Sequence, residues 1–151
     1  MKTRYLLAVV LVSALALAQS WAQQNAGVHL KSKVAQKRHL PFSSGVLAGN
    51  TLYIAGTTGV DPTTKGPVTA DEEARLVMDR VKEVVEQAGM TMDDVVSLQV
   101  FCTDLENYDG FNRVYKNYFH GDYPARAFVG ASKLLFGARY EVMGIAVRPA
   151  K

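Results

Sequence analysis

The sequence predicts one α+β domain in which two helices pack on one face of a β-sheet. Three observations support this prediction. The chain has 151 residues, 48% of them hydrophobic and 21% charged, which suits a single globular domain. Two segments show apolar residues at helical spacing, and short apolar runs typical of strands lie before, between and after them. Together these segments give the order ββαβαββ.

A hairpin is predicted to open the domain. Residues 46–48 and 52–55 are apolar runs, and the turn-forming pair Gly49-Asn50 lies between them. Residues 61–66 have the sequence Asp-Pro-Thr-Thr-Lys-Gly, which is typical of a turn. We therefore expect two antiparallel strands and then a loop that leads into the first helix.

The first helix is predicted by its two ends and by its apolar face. Thr69 and Glu72 have the spacing of a capping box, and Gly89 is a typical C-terminal stop. The apolar residues between these ends follow one helix face, and they are Ala74, Val77, Met78, Val81, Val85 and Ala88.

One further strand, a second helix and two closing strands complete the predicted order. Residues 95–101 are typical of a strand, and the closing strands are predicted at about 126–132 and 139–147. The second helix is predicted to end near Gly121, from apolar and aromatic residues at helical spacing, which are Tyr108, Phe111, Val114, Tyr115, Tyr118 and Phe119.

Residues 1–22 have the features of a secretory signal peptide. Lys2 and Arg4 precede a largely apolar run of thirteen residues at 6–18, and Ser20-Trp21-Ala22 has the small-x-small pattern of a cleavage site. A membrane anchor is the weaker interpretation, because thirteen residues at about 1.5 Å each fall short of a bilayer core of roughly 30 Å.

Cleavage after Ala22 divides the chain into three predicted parts. These are the signal peptide at 1–22, a flexible N-terminal arm at 23–36, which is polar and aperiodic, and the folded domain at 37–151. We expect a secreted or periplasmic protein that has no membrane association after cleavage.

Charge and motif content argue against several classes of function. Without residues 1–22 the chain has fifteen basic and fourteen acidic residues and no clustered basic stripe, which disfavours nucleic-acid binding. Phosphate-binding glycine motifs and zinc-binding His motifs are absent from the sequence, and its three histidines are scattered. We therefore expect no metal site and no cofactor. The single cysteine, Cys102, cannot form an internal disulfide and is predicted to be a small buried residue.

Two charged residues lie in apolar strands. Arg126 begins the strand that continues as Ala127-Phe128-Val129, and Glu141 follows Tyr140 in the last strand. Such residues are rarely buried without a partner, so they could pair across adjacent strands or both face water. The pattern alone favours these structural roles, because charge pairs are common in sheets. The functional alternative is a cleft in which Arg126 binds a carboxylate and Glu141 transfers a proton.

Several motifs occur in order between about residues 40 and 149. They are Ile54-Ala55-Gly56, Asp61-Pro62-x-x-x-Gly66, Val81-Lys82-x-Val84-Val85-Glu86-x-Ala88-Gly89, Asp93-Asp94-Val95-Val96, Val100-Phe101-x-x-Asp104-Leu105, Phe111-Asn112-x-Val114-Tyr115 and Pro124-Ala125-Arg126-Ala127-x-Val129 with Glu141-Val142. In these motifs the chain resembles the RidA/YjgF family of reactive-intermediate enamine/imine deaminases, of which it would be an exported member.

The resemblance implies a chorismate-mutase-like fold that assembles as a homotrimer with active sites in the clefts between subunits. It implies that Arg126 binds the carboxylate of a small 2-imino or 2-enamine acid, and that Glu141 positions water or moves a proton. The implied product is a 2-keto acid with release of ammonia, as in a 2-iminobutanoate/2-iminopropanoate deaminase, without a cofactor. Other residues implied to line the cleft are Phe42, Gly56, Tyr108, Asn112 and Phe128.

The chain also differs from the family pattern at several positions. Phe42 replaces a common Tyr, Ala55 a frequent Ser, and Met143 a common Glu, so the pocket has fewer polar groups. Phe128 stands where a small residue such as Cys is frequent, and we expect it to narrow or reshape the cleft. These differences keep an alternative open, a non-catalytic member of the same fold that binds small carboxylates or a protein.

Overall fold

A six-stranded sheet carries two packed helices on one face in the computed structural model, which describes residues 27–60 and 69–148. The strands are β1 (Val28–Leu30), β2 (Gly45–Ala48), β3 (Thr51–Thr58), β4 (Val95–Cys102), β5 (Ala125–Gly130) and β6 (Tyr140–Val147). The helices are α1 (Lys33–Lys37), α2 (Ala70–Gln87) and α3 (Tyr108–Tyr115). The predicted α+β class and the order ββαβαββ are confirmed from β2 onward. The predicted signal peptide and the turn at 61–66 lie outside the described residues.

The order of the strands in the sheet is β1-β2-β3-β6-β4-β5. All neighbouring pairs are antiparallel except β4 and β5, which are parallel and joined through α3. The last strand of the chain, β6, is therefore central, and β4 separates it from β5. The β3–β6 pairing contains an irregularity between Ile54 and Thr57, where the register shifts.

The core lies between the helices and one face of the sheet. The apolar face of α2 is buried as predicted, and Val77, Met78 and Val81 are fully covered. The capping box is confirmed, because the Thr69 hydroxyl accepts from the Glu72 backbone N–H at 3.2 Å and a Glu72 carboxylate oxygen accepts from the Thr69 N–H at 2.9 Å.

Cys102 is fully buried in this core, as predicted. Its thiol donates a hydrogen bond to the carbonyl oxygen of Asp104 at 3.0 Å. Burial raises the pKa of the thiol, which disfavours the nucleophilic thiolate.

The segment predicted as a flexible arm, 23–36, contains regular structure in its described part. Strand β1 pairs with β2 as an edge strand, and Ser32 caps α1 by accepting from the Ala35 N–H at 3.2 Å. Ala35 is buried, which anchors α1 on the domain. The polar composition concealed these elements because an edge strand is held by backbone hydrogen bonds, which do not require an apolar side-chain pattern.

Glu73, in the first turn of α2, is a fully buried carboxylate that sequence reasoning did not single out. It accepts hydrogen bonds from the backbone N–H of Arg139 at 2.6 Å and of Tyr140 at 3.2 Å, and it pairs with the Arg139 guanidinium at 2.9 Å. On its other side Gly59 packs so closely that a β-carbon there would overlap the backbone and Cγ of Glu73. Glu73 thus joins α2 to the end of β3 and the start of β6.

We expect Glu73→Ala to lower the free energy of unfolding by about 2–4 kcal/mol, because two backbone N–H groups and the Arg139 guanidinium lose their acceptor. Urea denaturation followed by circular dichroism measures this change. Glu73→Gln, which keeps one acceptor oxygen, should lower the free energy of unfolding by a smaller amount.

The matched control is Glu86→Ala on the same helix. Among the residues that the structure describes, the Glu86 side chain forms only an exposed pair with Lys82, so its loss should cost less than about 1 kcal/mol. Equal stability of the Glu73→Ala and Glu86→Ala proteins would contradict a structural role for the buried carboxylate.

Candidate functional site

The predicted site residues fall into two separate cavities. The first, here named the Arg126 cavity, has a volume of about 420 Å³ and is lined by Asn112, Tyr115, Lys116, Tyr123, Pro124 and Arg126. The second, named the Glu141 cavity, has a volume of about 110 Å³, and its lining includes Phe42, Ala55, Gly56, Arg80, Phe136 and Glu141. Tyr108 and Phe128 lie beside the first cavity and contact Arg126.

Arg126 projects from β5 toward the helical face of the sheet. It pairs in register with the fully buried Leu98 of β4. Its guanidinium lies 4.5 Å from the ring centre of Tyr115 and 5.7 Å from those of Tyr108 and Phe128. Cation–π contacts of this kind orient the guanidinium without occupying its N–H donors.

Within 27–60 and 69–148, Arg126 has no hydrogen bond or ion pair to an acidic side chain. A half-buried guanidinium that lacks a carboxylate partner in its own chain is suited to bind an anion. The fork of donors matches a carboxylate, which it can bind through two parallel hydrogen bonds.

Tyr115 forms the floor of the Arg126 cavity. It is 95% buried, and its hydroxyl finds no hydrogen-bond partner among the described residues. Burial raises the pKa of this hydroxyl to about 12, although the nearby Arg126 charge opposes the shift. The hydroxyl is therefore a neutral donor at physiological pH. Sequence reasoning assigned Tyr115 to the core from its helical spacing and missed its place in the cavity.

Glu141 projects to the opposite face of the sheet. Its neighbours in β6, Tyr140 and Val142, are fully buried on the helical side, and successive side chains of a strand alternate between faces. Thr58 of β3 and Phe101 of β4 flank it in the sheet. The half-buried carboxylate forms no hydrogen bond or ion pair with any residue in the described part of the chain.

Two features of β3 shape the Glu141 cavity. Gly56 lies at the register shift, and a β-carbon there would overlap the carboxylate oxygen Oε1 of Glu141. Arg80 of α2 donates to the carbonyl oxygens of Thr58 and of Val60, the latter at 3.1 Å, and so holds the end of β3. Sequence reasoning missed Arg80, because an arginine on a helix ordinarily indicates a solvated surface.

One chain does not bring Arg126 and Glu141 together. Their strands are separated by β4, and their side chains leave opposite faces of the sheet. An ion pair across adjacent strands, which is one of the two structural roles that the pattern alone favoured, is therefore excluded within one chain. The structure groups Gly56 and Phe42 with Glu141, and it groups Asn112, Tyr108 and Phe128 with Arg126.

None of the helices found at 27–60 and 69–148 has the length and apolar character needed to cross a membrane. In the same ranges, no group of three or more His, Cys, Asp and Glu side chains is arranged to hold a metal ion.

Comparison with known proteins places the chain in a family. Residues 33–148 match the family model described as Endoribonuclease L-PSP. A protein of Dermatophagoides farinae named 2-iminobutanoate/2-iminopropanoate deaminase is 36% identical over 109 residues, which are 71% of this chain and 85% of that protein.

Two solved structures share the fold. The YjgF gene product of E. coli has a TM-score of 0.67 at 34% identity, with 72% of this chain and 89% of that chain covered. E. coli TdcF with bound serine has a TM-score of 0.68 at 31% identity, with 83% and 95% covered. The sheet with two helices on one face agrees with this match. The chain belongs to the Endoribonuclease L-PSP family, which is the RidA/YjgF family.

Proposed function

We propose that this protein hydrolyses 2-imino and 2-enamine acids to 2-keto acids and ammonia. The observation that carries the proposal is the guanidinium of Arg126, which three aromatic rings orient at a cavity and which has no acidic partner in the described chain. The name of the D. farinae relative and the serine bound to TdcF support a substrate of amino-acid type.

The proposed reaction needs binding and proton transfer and no cofactor. Arg126 binds the substrate carboxylate, and an enamine tautomerises to the imine, whose C2 is electrophilic. Water adds to C2 while Glu141 accepts one of its protons and passes it to the imine nitrogen, which gives a 2-amino-2-hydroxy acid. Glu141 then carries the remaining hydroxyl proton to the same nitrogen, so that the C–N bond breaks and ammonia leaves as the C2 carbonyl forms. Because imine hydrolysis is already facile, orientation and one proton carrier supply sufficient acceleration.

We propose that each site combines the Arg126 cavity of one chain with the Glu141 cavity of another. A small substrate cannot reach both residues in one chain, since they leave opposite faces of the sheet. The face that carries Glu141 also exposes apolar side chains of three strands, namely Tyr53, Val129 and Met143. Burying these side chains against further copies favours association, and we propose the homotrimer that the family resemblance implies.

The alternative is a protein that binds small carboxylates without turnover. The lining of the Glu141 cavity favours it, because Phe42 and Ala55 contribute no hydrogen-bonding side chain there. Both functions require Arg126, and they differ in whether Glu141 has a role. Turnover measurements therefore separate them.

We expect the purified protein to accelerate keto-acid release from imines that an L-amino-acid oxidase generates. Semicarbazide, which traps the imine, provides the competing reaction, and a fall in semicarbazone formation measures the acceleration. Arg126→Ala should reduce the acceleration by about 10²-fold or more, because the carboxylate loses a charged bidentate partner.

Arg113→Ala is the matched control, since Arg113 is an exposed arginine whose salt bridge is with Asp71, outside both cavities. Retained acceleration in the Arg126→Ala protein would remove Arg126 from the mechanism. Failure of the unmodified protein on every imine, together with carboxylate binding that depends on Arg126, would establish the alternative.

A mixture of two inactive variants tests whether sites are shared between chains. Arg126→Ala and Glu141→Gln each inactivate every site of their own oligomer. If the two chains are expressed together, random assembly of a cyclic trimer leaves about a quarter of the sites with both intact residues. We expect about that fraction of the original activity, with the trimer confirmed by light scattering. A mixture as inactive as its components would contradict the shared site.

We further propose that the protein is exported and that residues 1–22 are removed. Mass spectrometry of the protein from the periplasm or the medium should find Gln23 as its first residue. Ala22→Trp should leave the precursor uncleaved, because signal peptidase requires a small residue there, while Ala26→Trp should be cleaved normally. Recovery of the exported protein with Met1 in place would contradict this proposal.

A further inference from the structure

We infer that the Arg126 cavity selects carboxylates that carry an aromatic side chain. Combined with the proposed function, on which the identity of the reaction rests, this makes the substrates imines of aromatic 2-amino acids. The preference itself is a property of binding, and it can be measured whether or not the protein catalyses a reaction.

Arg126 and Tyr115 fix the position of the carboxylate. Tyr115 is 95% buried and lies 4.5 Å from the Arg126 guanidinium, so it blocks one face of that group. A carboxylate binds in the plane of the guanidinium through the N–H donors that the ring contacts leave unoccupied, and it enters from the open side of the cavity. The side chain of the ligand is then directed along the cavity wall and not into the core.

The wall beside this position carries exposed aromatic side chains. Tyr123, which lines the cavity, is 59% exposed, and Tyr108, which lies beside the cavity, is 44% exposed. Tyr108 lies 5.7 Å from the guanidinium, and the ring of Tyr123 lies 6.2 Å from the ring of Tyr115. Exposed aromatic rings beside an anion site favour an aromatic ligand, which covers them and adds edge-to-face contacts. A methyl or ethyl side chain would leave both rings in water.

The Arg126 cavity also has space for an aromatic ring. We expected Phe128 to narrow or reshape the cleft, but its ring packs on Phe111 at 5.5 Å and on Tyr108 at 5.0 Å. Phe128 does not line the Arg126 cavity, which keeps a volume of about 420 Å³. The Phe128 ring thus packs against Tyr108 and leaves room for a ligand ring in the Arg126 cavity.

The Glu141 cavity contributes apolar surface of the same kind. Its rim exposes half or more of the side chains of Phe42, Leu135 and Phe136. Phe136 has a φ of 60°, a left-handed conformation that is costly for a bulky residue. Strain of this kind is typical of residues held in place for a functional reason. In a shared site these side chains would cover the ligand from the second chain.

The preference is tested by binding of simple carboxylates that differ only in the side group. We expect calorimetry to show 3-phenylpropanoate binding about tenfold or more tightly than propanoate, because the ring buries additional apolar surface. Glutarate, whose second carboxylate could pair with Lys116 in the cavity, tests an acidic side chain. Tighter binding of glutarate than of 3-phenylpropanoate would overturn the inference.

Variants connect the preference to the wall. Tyr123→Ala should lose most of the advantage of 3-phenylpropanoate and leave propanoate binding nearly unchanged, whereas Tyr123→Phe should keep that advantage. Leu76→Ala removes an exposed apolar residue of α2 that lies away from both cavities. This variant should change the binding of neither 3-phenylpropanoate nor propanoate. An advantage that survives in the Tyr123→Ala protein would overturn the assignment of the wall.

Turnover separates this inference from the proposed function. We expect imines from L-phenylalanine to be hydrolysed with a kcat/KM about tenfold above those from L-alanine. Faster hydrolysis of the alanine imine, together with equal binding of the two carboxylates, would overturn the inference and leave the proposed function standing. Selective binding of 3-phenylpropanoate without turnover of any imine would support the inference and overturn the proposed function.

Discussion

The buried carboxylate of Glu73 is the interaction on which the geometry of the Glu141 cavity depends. It accepts from the backbone of Arg139 and Tyr140, and the next residue along β6 is Glu141. Its own backbone packs on Gly59, just beyond the strand β3 that flanks Glu141. A carboxylate is costly to bury unless its oxygens are fully bonded. The hydrogen bonds and close packing that stabilise the buried Glu73 carboxylate therefore also fix the positions of β3 and β6 around Glu141.

Strand order then decides how the two charged groups can be used. Because β6 lies between β3 and β4, the crossover through α3 places β5 at the edge of the sheet, one strand away from β6. Alternation along the strands directs Arg126 to the helices and Glu141 to the open face. The fold thus provides two incomplete cavities in each chain, and assembly of copies is the means we propose to complete them.

The chemistry proposed for this site makes modest demands on the protein. The imine is already reactive, so discrimination between substrates must come from binding more than from the chemical step. The surroundings of Arg126 suit that division, since aromatic rings orient the guanidinium and the nearby rings of Tyr108 and Tyr123 are exposed to a ligand. Phe128, which differs from the family pattern, packs on Tyr108 and Phe111 outside the lining of the Arg126 cavity and leaves both charged groups in place.

The sequence by itself determined the local elements and the residue types of the site. The capping box and the apolar face predicted α2, and apolar runs predicted β2 to β6, because these signals act over a few neighbouring residues. Arg126 and Glu141 could be singled out because charges are unusual in apolar strands, and the family resemblance assigned their roles. These signals show whether a position is apolar or charged, but they do not show which distant residues it will contact in the fold.

Only the tertiary structure decided what each of those positions meets. The order of strands comes from hydrogen bonds between residues far apart in the chain, so the separation of Arg126 from Glu141 could not be deduced from either motif. The edge strand β1 depends on backbone groups, which carry no side-chain signal. Glu73 is one of several acidic residues at the start of α2, and its burial follows from the long-range approach of Arg139 and Tyr140.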